Sequence, residues 1–288
     1  MSVIRLRLPK TNFDRNSAPS RTFIFRSDFQ GEKNLASSDE EYTKRVEEGV
    51  GFLKNNLAKK IVLSRIISVT QQGLTSESIF NAFNEKFPNA AVFAFTDENN
   101  AEWIGATPEL LFSKRGGSYS TISLAGTRKA GNQDEWGVKE IEEQHLVTEF
   151  IQHELEILGA ENILCSELKT RNAGSIEHLC NEIAFEYPGD WKNVMKSLHP
   201  TPAVCGMPRT KAKEIIQQIE SHDREYYTGL IGIEQGENVD VYVILRCLKI
   251  EESKLHVFVG AGITSESIPA LEARETRWKA ESLTDVIF

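Results

Sequence analysis

The chain has 288 residues, of which 40% are apolar and 26% are charged, a balance typical of a globular protein with one or two domains. Its formal net charge of −9 excludes the basic surface that nucleic-acid binding requires. No apolar run is long enough to span a bilayer, and the N-terminus lacks the apolar core of a secretory signal. We therefore expect a cytoplasmic protein with neither nucleic acid nor membrane as a partner. The four cysteines form no C-x-x-C pair, which argues against a zinc or redox motif.

The first half of the chain is predicted to contain strands separated by helices. Residues 1–37 are polar and irregular, apart from a short strand at 21–26. Ser38, an N-cap candidate followed by acidic residues, predicts a helix over 38–56. The β-branched run KIVLSRIISV predicts a buried strand at 60–69. A helix at 75–87 is followed by strands at 91–96, 103–106, 110–114 and 118–124, and by a long helix at 135–158.

The second half mixes the two element types in the same way. Strands are predicted at 163–166 and 175–187, helices at 191–197 and 210–221, a strand meander at 230–234, 239–250 and 254–260, and a final helix at 269–286. This order predicts an α+β fold with antiparallel hairpins rather than strict alternation. The sequence shows neither repeats nor a low-complexity linker, so we divide the chain into an N-terminal segment, residues 1–37, and a single domain, residues 38–288.

Two of the predicted helices each carry a pair of carboxylates spaced three residues apart. Glu140 and Glu143 form one pair, and Glu272 and Glu275 form the other. This spacing places both members of a pair on one helical face. If the two helices met, their oxygens would suit Mg²⁺, which takes one or two carboxylates directly and keeps several waters. The alternative is that each face is merely solvated, which is common for charged helices.

A lysine and a glutamate in apolar surroundings are candidates for acid–base chemistry. Lys60 opens an apolar strand, where it is either a strand-end residue in solvent or a partly desolvated amine with a lowered pKa. Glu109 stands between Pro108 and two leucines, a setting that raises a carboxyl pKa and suits a general acid. Its alternative is an exposed residue at a strand edge. Local sequence alone favours the exposed alternative at both positions.

Several further stretches could hold an anion. Glycine turns are predicted at Gly260-Ala261-Gly262 and, more weakly, at Ala125-Gly126-Thr127-Arg128, and their N–H groups could face a carboxylate. Arg246 lies in the apolar run VYVILRCLKI and therefore needs an anionic partner, from the protein or from a ligand. His178 is either a structural hydrogen-bonding residue or a donor to a substrate oxygen. The Pro/Gly-rich loop at 199–208 suits the wall of a site.

These stretches resemble, in order, those of the chorismate-utilising enzymes. The matching segments are KIVLSR, WIGATPELLF, LAGTR, HLCNEI, LHPTPAVCGMP, REYYTGLIG, VILRC and GAGITSESIPALEARETRWKA. The resemblance covers the chain from about Lys60 onward. It implies an α+β fold with large antiparallel sheets flanked by helices, in which residues 38–288 bind chorismate and Mg²⁺ in a cleft between the sheets. Members commonly carry a longer N-terminal part, so residues 1–37 are expected to be a shortened version of it.

Two positions relate the chain to one branch of the family. Lys60 stands where isochorismate and salicylate synthases carry the lysine that activates water, and Ala125 stands where aminodeoxychorismate synthases carry a lysine nucleophile. The chain thus resembles the isochorismate synthases most, which implies a Mg²⁺-dependent isomerase that adds water at ring carbon 2 of chorismate and removes the hydroxyl at carbon 4. By this resemblance Lys60 would deprotonate the water, and Glu109 would protonate the departing hydroxyl.

The resemblance also implies roles for the remaining candidates. Glu143 and Glu275 would bind Mg²⁺, while Glu140 and Glu272 would order its waters. The implied substrate-binding residues are Gly126, Thr127, His178, Tyr227, Arg246, Gly260, Gly262 and Lys279. One departure is Gln144, which stands where many members carry histidine.

The product and its destination are left open by the sequence. One alternative is a salicylate synthase, which would go on to eliminate pyruvate from isochorismate, and another is a non-catalytic chorismate-binding homologue. The product could serve menaquinone or siderophore biosynthesis. A monomer is favoured, although the sequence does not define the oligomeric state.

Overall fold

The structure is a computed structural model that describes residues 4–9, 19–32, 36–71, 73–129, 131, 135–172, 176–251 and 253–288. Over these residues the chain forms two large antiparallel sheets, one of seven strands and one of eight. The helices are α1 (Asp39–Lys54), α2 (Ser76–Lys86), α3 (Val138–Leu158), α4 (Trp191–Leu198), α5 (Arg209–Ile219) and α6 (Pro269–Thr284). The predicted α+β class is therefore confirmed.

The seven-stranded sheet carries the lysine strand near one edge. Its order is β1 (Arg5–Arg7), β4 (Ala91–Thr96), β5 (Glu102–Thr107), β14 (Cys247–Glu251), β15 (Lys254–Ile263), β3 (Lys60–Thr70) and β11 (Gly206–Met207). The register of β3 against β15 pairs Ser64 with Gly260 and Val62 with Gly262. This pairing puts the glycines of the C-terminal motif beside the strand that begins at Lys60.

The eight-stranded sheet supplies the opposite wall of the molecule. Its order is β2 (Ser20–Phe25), β12 (Leu230–Gln235), β13 (Asn238–Val243), β6 (Leu110–Arg115), β7 (Ser118–Lys129), β10 (Ile176–Glu186) and β8 (Glu161–Cys165), with β9 (Lys169–Asn172) also paired to β10. The two sheets pack through one buried apolar cluster, in which Trp103 and Phe258 of the first sheet join Ile231 and Tyr242 of the second. The aromatic side chains of this cluster therefore fill the region in which the two sheets face each other here.

Local signals place the helices that flank the sheets. At the start of α1, the Glu41 N–H donates to Ser38 Oγ at 3.2 Å and the Ser38 N–H donates to the Glu41 carboxylate at 2.8 Å. Ser38 is thus the N-cap that the sequence suggested, and Glu41 completes a capping box with it. Helix α6 begins with Pro269, which suits a first helical turn. None of the described helices is long and apolar enough to cross a membrane.

Three predicted elements were wrong in ways that matter for the site. The single strand expected at 239–250 is two strands, because the chain leaves the eight-stranded sheet after Val243 and enters the seven-stranded sheet at Cys247. The glycine turns expected at 125–128 and 260–262 lie inside β7 and β15 instead. Pairing with β3 overrides the turn tendency of glycine at 260–262, whereas at 125–128 the strand continues around a bulge at Gly126.

The other differences are smaller. Helix α3 begins at Val138 rather than at 135, because Gly137 takes the N-cap position. The short strands β1, β9 and β11 were not predicted, since two to four residues carry too little periodicity to be recognised. Within the N-terminal segment, β1 and β2 lie at the outer edges of the two sheets, whereas residues 10–18 and 33–35 are outside the described part of the chain.

Candidate active site

The lysine at the start of β3 contacts a carboxylate from helix α3. Lys60 Nζ donates to Glu143 Oε1 at 3.1 Å, and 23% of the Lys60 side chain is exposed. Across the ladder, a Cβ added at Gly262 would lie 2.9 Å from Lys60 Cε, so glycine at this position leaves room for the lysine stem. Strands β3 and β15 and helix α3 therefore converge on one amine.

A cleft of about 200 Å³ lies around this amine. Its walls come from both sheets, from α3 and from the Pro/Gly-rich loop. They are formed by Lys60, Val62, Leu124, Ala125, Gly126, Glu143, Val147, His178, Ala203 and Gly262. Five of the predicted site residues are thus brought together although they are distant in sequence, namely Lys60, Gly126, Glu143, His178 and Gly262.

A bulge in β7 shapes the wall opposite Lys60. The β7–β10 register skips Gly126, since His178 pairs with Thr127 while Leu179 pairs with Ala125. Gly126 has a φ of 67°, and an added Cβ would lie 3.2 Å from Glu140 Cβ, so glycine serves both the backbone angle and the close approach of α3. His178 Nδ1 lies 3.0 Å from the Gly126 carbonyl oxygen. The side chain of Thr127 is outside the described part of the structure.

Glu109 lies next to this cleft rather than in its lining. It borders a small cavity of about 30 Å³, which shares the walls Leu124, Val147 and Ala203 with the larger cleft. Burial raises the pKa of the Glu109 carboxyl, and the positive charges of Arg246 and Arg171 oppose that rise. The buried alternative is therefore present rather than the exposed one that local sequence alone favoured, and the direction of the pKa shift is the one a general acid needs.

Arg246 occupies the crossover between the two sheets. It lies between β13 and β14 with a φ of 47°. It was expected to lie within a continuous apolar strand, where its charge would have been enclosed. At the crossover the residue as a whole is exposed instead, although partial burial of the guanidinium lowers its pKa and the negative charge of Glu109 opposes that change.

Helix α6 carries the second carboxylate pair beside a lysine. Lys279 Nζ lies 2.7 Å from Glu275 Oε1 and donates to the Gly260 carbonyl oxygen at 2.9 Å. Burial raises the pKa of Glu272, a hydrogen bond with Ser267 opposes that rise, and the negative charge of Glu275 adds to it. The first turns of α6 thus hold two neighbouring carboxylates, one of them partly buried.

The glycines of β15 present backbone groups to the side away from β3. The N–H groups of Val62 and Ser64 bond on the far side of β3, so their pairs with Gly262 and Gly260 are the non-hydrogen-bonded pairs of the ladder. The N–H and C=O groups of both glycines consequently point away from β3. On that side the pairing of β15 with β14 ends at Phe258, before either glycine. An anion could therefore face this edge of β15 rather than the glycine turn that was predicted at 260–262.

Tyr227 reaches the same edge from a turn that precedes β12. The residue is buried, at 5% exposure, and its Oη lies 3.0 Å from the position that a Cβ on Gly260 would occupy. Burial raises the pKa of the Tyr227 phenol, so the group stays protonated and able to donate. Tyr227, Gly260 and Lys279 therefore lie together at the end of β15.

The four glutamates do not form a ready-made metal cluster. Within the described part of the chain, no three His, Cys, Asp or Glu side chains are grouped to hold a metal ion. Glu143 pairs with Lys60 and Glu275 with Lys279, so a cation would have to replace these ammonium groups. Their oxygen chemistry fits Mg²⁺, which takes carboxylates as ligands and keeps several waters.

Gln144, the departure from the family pattern, points into the protein. Its Nε2 donates to Asn181 Oδ1 at 3.0 Å and to Ser123 Oγ at 2.9 Å, and the residue is 1% exposed. Gln144 therefore joins α3 to the eight-stranded sheet, while Glu143 beside it faces the cleft.

Sequence reasoning missed a buried ion pair that supports the cleft walls. Arg224 is fully buried and bonds Glu220 through two nitrogens. It also donates to the carbonyl oxygens of Val62 at 2.7 Å and Val204 at 2.8 Å. Val62 lines the cleft and Val204 follows Ala203, which does the same. The i,i+4 spacing of Glu220 and Arg224 was the available signal, but it gives no indication of burial.

Comparison with known proteins defines the class. A family model described as "Chorismate binding enzyme" matches residues 11–288, and the chain belongs to this family. It is 30% identical over 265 residues to the isochorismate synthase MenF of Pasteurella multocida, covering 86% of this chain and 61% of that protein. The chain spans about three fifths of the length of the curated relatives that it matches.

Solved structures agree on the fold. DhbC from Bacillus anthracis superposes with a TM-score of 0.78 at 28% identity, over 93% of this chain and 74% of that one. The menaquinone-specific isochorismate synthase MenF from Escherichia coli gives a TM-score of 0.81 at 23% identity, over 90% and 64% of the two chains. The expected fold of the chorismate-utilising enzymes, two large antiparallel sheets with flanking helices, is therefore confirmed.

Proposed function

We propose that the protein is an isochorismate synthase that converts chorismate to isochorismate. The observation that carries the proposal is the lining of the cleft, where Lys60 is the one amine among the lining residues that the structure describes and Ala125 lies on the other wall. A lone lysine suits activation of water, whereas a lysine at 125 would suit direct attack on the ring. Family membership and the names of the relatives support the same activity.

The proposed reaction uses one base and one acid. Lys60 takes a proton from a water molecule, whose oxygen bonds to ring carbon 2. The double bonds shift, and the hydroxyl at carbon 4 leaves with a proton from Glu109. One water is added and one is lost, so the product is an isomer of the substrate. Burial raises the pKa of Glu109, which favours the protonated form that a general acid needs.

Chorismate has two carboxylates, so an acidic chain must supply local positive charge and N–H donors. We assign this task to Lys279, Arg246, Tyr227, His178, Thr127 and the backbone of Gly126, Gly260 and Gly262. We assign Glu143 and Glu275 to Mg²⁺, and Glu140 and Glu272 to the waters around it. When bound, the ion would supply positive charge to the ring carboxylate. Because Glu143 would then be shared with the ion, the Lys60 ammonium group would lose its counter-charge; once it has given a proton to solvent, the neutral amine would act on water.

A product assay tests the proposal. The protein is incubated with chorismate and Mg²⁺, and the products are separated by chromatography; we expect isochorismate. Salicylate with pyruvate would identify a salicylate synthase instead, and chorismate binding without turnover would identify a non-catalytic homologue. Removal of Mg²⁺ by a chelator should abolish turnover, and full activity after chelation would contradict the assignment of Glu143 and Glu275.

Two neighbouring lysines provide a matched test of the base. Lys60→Ala should lower kcat by about 10²- to 10⁴-fold, the usual contribution of a general base. Lys59→Ala is the control, because Lys59 is exposed beside Lys60 and should leave kcat unchanged. Equal activity of the two variants would contradict the role of Lys60. Size-exclusion chromatography of the same samples would test our expectation of a monomer.

A further inference from the structure

A buried arginine links the lysine strand to the helix that carries the second carboxylate pair. Arg65 follows Lys60 by five residues on β3, on the opposite face of the strand, and is 1% exposed. Its Nη2 donates to the Ala273 carbonyl oxygen of α6 at 2.9 Å, and its Nη1 donates to Asp39 Oδ1 of α1 at 2.8 Å. The guanidinium also lies 4.8 Å from the centre of the Tyr42 ring.

The carbonyl that Arg65 bonds belongs to a residue that lies, in sequence, between the two α6 glutamates of the proposed metal site. Ala273 follows Glu272 and precedes Glu275, and its methyl group is packed in the core. The Arg65 contact reaches α6 one turn after its start, at the carbonyl oxygen of Ala273. Arg277, one turn further along α6, also forms an ion pair with Asp39. Strand β3 and helices α1 and α6 are thus joined at one buried guanidinium.

A buried charge is a costly way to pack a helix on a strand, because an apolar side chain of similar volume is often as stable or more so. What a guanidinium adds is a planar fork that fixes two partners in distance and direction. Here one arm holds α1 and the other holds α6, while the strand that carries the fork also carries Lys60. The arrangement therefore fixes geometry between the base and α6.

We propose that Arg65 is a positioning residue that sets α6 against β3 and thereby places the Glu272 and Glu275 carboxylates relative to Lys60. The inference rests on the proposed function for its consequence, which is metal binding. Without the fork, α6 could shift along β3, and Mg²⁺ would have to bring the carboxylates into place as it binds. Affinity for Mg²⁺ would fall, whereas the chemistry at saturating Mg²⁺ would be largely kept.

The variants are Arg65→Gln and Arg65→Lys, with Arg115→Gln as the matched control. Arg115 also makes a two-armed ion pair, with Asp240 at 2.8 and 3.0 Å, but in the eight-stranded sheet. Calorimetric titration with Mg²⁺ should show an affinity about 10- to 100-fold weaker for Arg65→Gln, as for other residues that orient metal ligands. Arg65→Lys keeps the charge but not the fork and should lie between wild type and Arg65→Gln. Arg115→Gln should bind Mg²⁺ as the wild type does.

A second measurement does not depend on the metal. Hydrogen exchange of the metal-free proteins should show faster exchange of the α6 amides in Arg65→Gln than in Arg115→Gln. If Arg65→Gln fails to fold, Arg65→Lys replaces it in this comparison, because lysine keeps the buried charge but lacks the fork. Unchanged exchange in α6 would overturn the proposal, as would wild-type Mg²⁺ affinity in a variant whose α6 exchanges faster. A wild-type protein that binds no Mg²⁺ would instead contradict the proposed function, and the exchange result would still decide whether Arg65 anchors α6.

Discussion

Replacing Glu220 with glutamine should test how strongly the buried ion pair supports the lysine strand. The Glu220 and Arg224 side chains are 3% and 0% exposed. Glu220 Oε1 accepts from Arg224 Nη2 at 2.7 Å and from the Ser64 N–H at 2.6 Å, while Oε2 accepts from Arg224 Nε at 2.8 Å. Both carboxylate oxygens of Glu220 therefore accept hydrogen bonds from close donors. Among the described residues, Arg224 is the one cation that forms a hydrogen bond with this carboxylate.

The size of the effect follows from that geometry. Glutamine has the same shape, but its NH₂ group must face a donor at one of the two oxygen positions, and Arg224 loses its counter-charge. Removing one partner of a buried pair destabilises proteins by about 3–5 kcal/mol, so we expect a loss in this range in the free energy of unfolding. Urea denaturation at neutral pH would measure it. Glu214→Gln, which removes an exposed i,i+3 pair with Lys211 on the same helix, should change stability by less than about 0.5 kcal/mol.

The pH dependence provides a second measure of the same interaction. Burial alone would raise the pKa of Glu220, but the charge and hydrogen bonds of Arg224 outweigh burial and lower it. A carboxylate whose pKa is lowered in the folded state stabilises the fold above its unfolded pKa, and that stability is lost as the pH falls through the folded value. Wild-type protein should therefore lose stability on acidification more steeply than Glu220→Gln. A loss below about 1 kcal/mol at neutral pH, or parallel acid profiles, would refute this reasoning.

Three further substitutions test the candidate site and its surroundings. Glu109→Gln should lower kcat by about 10²- to 10⁴-fold, and a variant with wild-type kcat would exclude the acid role. In the wild type, the rate should fall as the pH rises through the raised pKa of Glu109. Gly262→Ala should lower kcat, because the new methyl group meets the side chain of Lys60. The free energy of unfolding should stay within about 1 kcal/mol of the wild-type value. An unchanged kcat would contradict the close contact between residue 262 and Lys60. Gly51→Ala, on an open helix position of α1, should raise stability by about 0.5–1 kcal/mol without affecting turnover, as urea denaturation and the product assay would show.

The sequence by itself determined the elements whose signals are local. The cap at Ser38, the β-branched run after Lys60 and the proline that opens α6 each act through neighbouring residues, and the structure has the corresponding elements. The spacing of Glu140 and Glu143 was also readable, because helical periodicity defines which residues share a face. The apolar neighbours of Glu109 allowed either a buried or an exposed carboxyl, and local sequence alone favoured the exposed one, which was wrong.

Tertiary structure alone decided which of these groups meet. Periodicity assigns a residue to a face but does not identify what that face contacts, so the pairing of Lys60 with Glu143 could not be read from the chain. The run around Arg246 looked like one strand, because the crossover between sheets depends on pairing with distant strands rather than on local composition. Strand alternation puts Arg65 on the other face of β3 from Lys60. That its guanidinium reaches α6 follows only from the packing of α1 against that strand and of α6 against α1 and β15, since a buried arginine is bonded by groups far away in sequence.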